Sequence, residues 1–169
     1  MAKAKAGGAR VLRDPFDAAG IVRAAVIADQ QGAPVGFARF NKVRPELKPV
    51  TGSWLWMEYV ATDPEAAMTF YGDVIGYRHE QVENQGSAVY HVLSLGTPRA
   101  GLFKSPFERV RGNWVPYVLV DDPAAMAARA QSLGGTILVA PRPDLRKGTV
   151  AIISDPAGAV IALQKYPIS

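Results

Sequence analysis

Residues 54–76 read WLWMEYVATDPEAAMTFYGDVIG, and residues 113–135 repeat the plan as NWVPYVLVDDPAAMAARAQSLGG. Each opens on an apolar strand, passes through Asp-Pro and continues as a helix that stops at glycine. Aspartate suits a helix cap, proline the first helical turn and glycine the residue after the last. In the first helix Ala67, Phe70, Tyr71 and Val74 stand at i, i+3, i+4 and i+7, the spacing of a core-facing stripe.

Working outward, each strand–helix pair is followed by three more strand-like stretches, so the sequence predicts two βαβββ modules, 54–104 and 113–166. The first has strands near 54–60, 77–83, 88–95 and 99–104 and a helix at 64–74. The second has strands near 113–120, 136–140, 148–154 and 159–165 and a helix at 123–133. A further echo lies upstream. Residues 7–40 follow the plan of 134–166: Gly-Gly, a short strand, a Pro/Asp loop, then two strands joined by a tight turn. The turns are Asp29-Gln-Gln-Gly32 and Asp155-Pro-Ala-Gly158. Residues 1–40 therefore read as a partial module, with strands around Val11, 22–28 and 35–40, and residues 41–53, holding Pro45 and Pro49, as a linker. The fold class is α+β.

The 169 residues, 49% apolar and 20% charged, describe a globular chain able to bury a core. With no cysteine, disulfides, thiolate zinc sites and cysteine nucleophiles are excluded, and two histidines exclude a three-histidine metal site. Residues 1–50 carry a balance of +5 and residues 51–169 one of −1, so the net +4 is scattered over the N-terminal third. That distribution argues against nucleic acid, which calls for a basic face. No apolar run has the length of a membrane span, residues 1–10 lack a signal peptide's hydrophobic stretch, and the simplest location is the cytoplasm.

Paired modules with Asp63-Pro-Glu-Ala-Ala, then Phe70-Tyr-Gly, Gly76-Tyr and a closing Asp155-Pro-Ala-Gly-Ala resemble the vicinal oxygen chelate superfamily of glyoxalase I, bleomycin-resistance proteins and extradiol dioxygenases. The resemblance spans residues 54–166 and implies a glyoxalase-like domain, 54–169, with a concave cleft. It is nearest to a branch that carries such domains in tandem, and in that light residues 1–40 resemble the tail of a preceding domain. The resemblance also favours a homodimer, in which residues 10–40 bury apolar surface against the main domain or a second chain.

Members of that superfamily hold a divalent metal on the first and last strands of each module. The first-strand ligand lies seven residues before the helix-opening aspartate, which here gives Trp56 and Val115. The last-strand ligand lies seven residues after the turn aspartate, which gives Ala162, and Gly101 is its counterpart in the first module. None of these side chains ligates a metal, so the expectation is a site with no metal and no cofactor.

Strand alternation places Glu58 on the face of Trp56, and Asn113 and Tyr117 on the face of Val115. With Phe103 and Gln164 this describes an aromatic-walled pocket with few polar groups, the usual form of a small-molecule site. Glu58 reads either as a general base, with Tyr117 donating to a substrate oxygen, or as the ion-pair partner of an arginine such as Arg99. Trp56 reads as wall or stacking platform, His91 as ligand or ordinary strand histidine, His79 as surface, and Asp121-Asp122 as a helix cap and its neighbour. The reading favoured is a small-molecule binder with a degenerate metal site. Its alternatives are a lyase or isomerase on a small oxygenated substrate with Glu58 as base, and a structural remnant of a two-domain protein.

Overall fold

The computed structural model describes residues 1–42, 48–82, 89–108 and 110–166. Residues 43–47 of the expected linker, and the expected strand ends at 83 and 88, lie outside them. The architecture is α+β, with more strand than helix. A short helix α1 (Ala2–Ala6) leads into β1 (Arg10–Ala18), β2 (Val22–Ala28) and β3 (Pro34–Phe40). The first module is β4 (Trp54–Ala61), α2 (Pro64–Ile75), β5 (Arg78–Val82), β6 (Tyr90–Leu95) and β7 (Thr97–Lys104). The second is β8 (Asn113–Leu119), α3 (Pro123–Ser132), β9 (Thr136–Val139), β10 (Val150–Ser154) and β11 (Val160–Gln164).

The helix signals act as their chemistry requires. The Asp63 carboxylate accepts from the Ala66 amide at 3.1 Å, and α2 ends at Gly76 with φ +90°. Asp122 accepts from the amides of Ala124 (2.9 Å) and Ala125 (3.0 Å), satisfying donors the helix leaves open.

Strands β1-β2-β3 form an antiparallel sheet, and the other eight hydrogen-bond in the order β5-β6-β7-β4-β8-β11-β10-β9. The register β11 to β8 is parallel, with Ala162 opposite Tyr117. The strand expected from 148 begins instead at Val150, because Arg146–Gly148 make a 3-10 turn with left-handed backbone at Arg146 (φ +47°) and Lys147 (φ +54°). Among the described residues no helix is long and apolar enough to cross a membrane.

The described residues fall in two compact units: one within Met1–Leu47, Tyr59–Gln81 and His91–Trp114, the other within Lys48–Glu58, Val82–Tyr90 and Val115–Ser169. In the first, Ile27 and Ala33 of the N-terminal segment share a core with Tyr59, Ala61, Phe70, Tyr71, Leu93 and Leu102. A polar knot sits inside it. Buried Asp29 accepts from the hydroxyls of Tyr59 (2.6 Å) and Tyr71 (2.8 Å), and the Trp114 indole donates to Tyr71 at 2.9 Å. Burial first, and then the Asp29 charge and hydrogen bonds, push both phenols far above the ordinary tyrosine range. In the second unit Val120, Ala127, Ala151 and Leu163 make the core between α3 and its strands.

The repeated turn is the same structure twice. Asp29 Oδ1 accepts from the amides of Gln31 and Ala33, each at 2.9 Å. Asp155 Oδ1 accepts from those of Ala157 (2.9 Å) and Ala159 (2.8 Å). Gly32 (φ +88°) and Gly158 (φ +90°) supply the left-handed residue.

Candidate functional site

In the second unit, the strands that pack Val118, Val120, Ile161 and Leu163 toward α3 turn Tyr117, Ala162 and Gln164 to the other face, because side chains alternate. Glu58 meets them there. Its carboxylate, 2% exposed, accepts from the Tyr90 hydroxyl at 2.7 Å and the Tyr117 hydroxyl at 2.5 Å, and is ion-paired with a terminal nitrogen of Arg146. The Trp56 indole donates to the Tyr90 oxygen at 3.2 Å.

Arg146 is the hinge of the cluster. Its other terminal nitrogen donates to Gln164 Oε1 at 3.2 Å, and its guanidinium lies 5.0 Å from the centre of the Tyr117 ring. Gln164 is fixed in turn by donating to Thr149 O (3.0 Å), Thr149 Oγ1 (2.9 Å) and Lys165 O (2.8 Å). Burial pulls the guanidinium down, but Glu58, then Tyr117 and Tyr90, hold it above its ordinary value, so it stays charged. Burial and the Glu58 charge push the Tyr117 and Tyr90 phenols well up, and both stay protonated.

The residues predicted from sequence divide. Glu58, Tyr117, Trp56 and Gln164 come together in one hydrogen-bonded network. Val115 and Ala162 are buried apolar neighbours on β8 and β11. Phe103 and Asn113 are half-buried residues of the first unit, as is His91, while His79 is exposed. The His91 ring is 6.1 Å from that of His79, and burial followed by that neighbour lowers its pKa. The arginine on Glu58 is Arg146; Arg99 belongs to the first unit, beside Tyr77. Asp122 caps α3, and Asp121 accepts from Thr51 at 2.8 Å.

Sequence reasoning missed Tyr90, Arg146 and Thr149. Tyr90 shares a strand with His91 and alternation alone leaves its face open. Arg146 stands in a loop with no period, and the one signal for it is chemical: a buried carboxylate needs a cation.

A divalent metal does not fit this donor set. Trp56, Val115 and Ala162 have no ligating atom, and the carboxylate and amide oxygens present are bound to Arg146. Among the described residues no group of three or more His, Asp or Glu could hold one.

The chain is 33% identical over 161 residues to the Mycobacterium tuberculosis protein named "Putative glyoxylase CFP32", covering 94% of this chain and 62% of that one. It is 32% identical over 175 residues to the anthracycline biosynthesis protein DnrV of Streptomyces peucetius, covering 98% and 62%. The chain thus spans 62% of the length of these curated relatives. In fold it is similar to the Mn(II)-bound glyoxalase from Novosphingobium aromaticivorans, with a TM-score of 0.59 at 15% identity over 97% of this chain and 56% of that one. The halotolerant catechol dioxygenase BphC gives a TM-score of 0.58 at 15% identity, over 97% and 61%. Residues 54–163 match the family model, and with the paired βαβββ modules this settles the family: the chain belongs to the Glyoxalase/Bleomycin resistance protein/Dioxygenase superfamily.

Proposed function

We propose that this chain binds a small organic molecule, without a divalent metal, on the face that carries Glu58, Tyr117 and Arg146. The observation that carries the reading is the state of Glu58. Three donors converge on one buried carboxylate. A general base must be within reach of the proton it takes, whereas Glu58 is 2% exposed and its oxygens hold two phenols and a guanidinium in fixed positions. The arrangement therefore supports recognition over proton abstraction. Half-buried Trp56 and the Tyr117 ring supply apolar wall.

The test is a screen of small aromatic and oxygenated compounds by tryptophan fluorescence and by chemical-shift changes, with elemental analysis after chelator washing. Saturable binding that perturbs Trp56 and Tyr117 in metal-free protein supports the reading. No binder on this face, or one tightly held transition metal per chain, overturns it.

The reading includes a homodimer. β1 and β3 are edge strands of their sheet, and an isologous contact would cover an edge in both copies. Light scattering of the full chain tests it, and a monomeric full chain refutes the dimer.

A further inference from the structure

The family resemblance would place metal ligands at Trp56, Val115 and Ala162, and the polar residues of the site stand two places further along the same three strands, at Glu58, Tyr117 and Gln164. Two residues along a strand is one full pleat, so each polar side chain stays on the same face, displaced by roughly 6.6 Å. What the three side chains surround is the guanidinium of Arg146. Glu58 of β4 and Gln164 of β11 each take one of its terminal nitrogens, and Tyr117 of β8 lies under its plane.

The backbone is bent to put it there. Arg146 and Lys147 both adopt left-handed angles without being glycine, a conformation that L side chains rarely take. Strain of this kind persists only where surrounding contacts over-determine it, and it gathers at sites that need a group held in advance.

The polar inventory then decides what such a site can receive. Glu58 is buried and already accepts from three donors, all of them on this chain. Gln164 uses its oxygen on Arg146 and its nitrogen on Thr149 and Lys165. Both phenols stay protonated and give their hydrogens to Glu58. A guanidinium has five N–H donors in a planar fork, and this one, with a quarter of its side chain exposed, still reaches solvent. The face thus offers a charged donor and little acceptor, so its ligand must bring acceptor oxygen. A planar carboxylate matches the fork best.

We propose that Arg146 serves as the built-in cation of this site, in the place of the superfamily's divalent metal, and that the molecule bound is an organic carboxylate. This rests on the small-molecule reading above and gives it a ligand class. The experiment compares benzoate with benzamide, its neutral isostere, in chelator-washed protein. Readouts are tryptophan fluorescence and the Arg146 Nε–Hε resonance.

The expected result is benzoate binding at least about tenfold tighter than benzamide, as a charge-assisted bond outweighs a neutral one. The chelator should leave it unchanged, and the Arg146 resonance should shift on titration. Arg146→Lys should weaken benzoate and Arg146→Met should erase the preference; the resonance of the unaltered chain decides the matter if either variant folds poorly. Equal affinity for the two compounds, a preference that survives Arg146→Met, binding lost with chelator, or no binding of benzoate overturns the inference. The broader reading stands in each case where a neutral compound still binds the face of the metal-free protein, and falls where nothing binds or where binding needs a metal.

Discussion

Replacing Glu58 with glutamine changes almost no volume and removes the charge that faces Arg146. Breaking one side of a buried pair costs about 3–5 kcal/mol, because the partner stays buried and uncompensated. Arg146 keeps its bond to Gln164 and is a quarter exposed, which argues for the lower end. The glutamine oxygen keeps only one of the phenols of Tyr90 and Tyr117 as its donor, and the other, facing the amide nitrogen, must turn its hydroxyl to accept. The expected loss for Glu58→Gln is thus about 3 kcal/mol, a fall in Tm of roughly 6–12 °C for a chain of this size. Arg146→Met should cost about as much, leaving the Glu58 carboxylate buried with two phenols and no cation. The double variant carries neither stranded charge, so it should recover about 2 kcal/mol of the summed losses. Urea unfolding followed by circular dichroism measures all four corners of the cycle. Losses that add to within about 0.5 kcal/mol would show that the two charges do not face each other as described.

Three other outcomes can be checked on the unliganded protein. Lys147→Gly relieves a left-handed backbone (φ +54°) and should raise stability by about 1 kcal/mol in thermal unfolding, whereas a loss would place φ elsewhere. The phenols of Tyr59, Tyr71, Tyr77, Tyr90 and Tyr117 are all raised, burial leading in each. Their protonated form is the one the fold holds, so that stability is complete below the ordinary tyrosine value of about 10 and is lost as pH rises beyond it. Ultraviolet titration should show their ionisation coinciding with alkaline unfolding, and titration of these phenols in the folded chain near pH 10 would contradict their burial. The His91 midpoint, read from its imidazole resonance, should lie below the ordinary value of about 6.5 and rise only in part in His79→Ala, since burial is the larger cause; no rise at all would remove His79 from the account.

The fold was legible because it is written twice. Asp63-Pro64 and Asp122-Pro123 mark helix starts with chemistry that needs no tertiary context, and the echo between 54–76 and 113–135 turned two local signals into one architecture. The candidate site was legible as far as alternation reaches. Trp56, Glu58, Tyr117 and Gln164 lie on strands whose parity can be counted, and they meet. Arg146 was hidden because its position depends on a turn whose backbone no residue type announces: neither Arg146 nor Lys147 is the glycine that a left-handed angle favours. Phe103 and Asn113 lie in the first compact unit, a grouping that depends on long-range packing rather than on period.

The twin aspartate turns carry a consequence for the order in which the chain acquires its shape. Every bond that defines Asp29–Ala33 or Asp155–Ala159 closes within five residues. Such loops close in tens of nanoseconds and seed their hairpins within microseconds. The contact between Glu58 and Arg146 spans 88 residues and must wait for both ends to be placed. The hairpins β2–β3 and β10–β11 would then form early on their own instructions, and the carboxylate–guanidinium pair would arrive last. Substitutions in the turns should slow refolding, while those at Glu58 or Arg146 should leave refolding almost untouched and hasten unfolding.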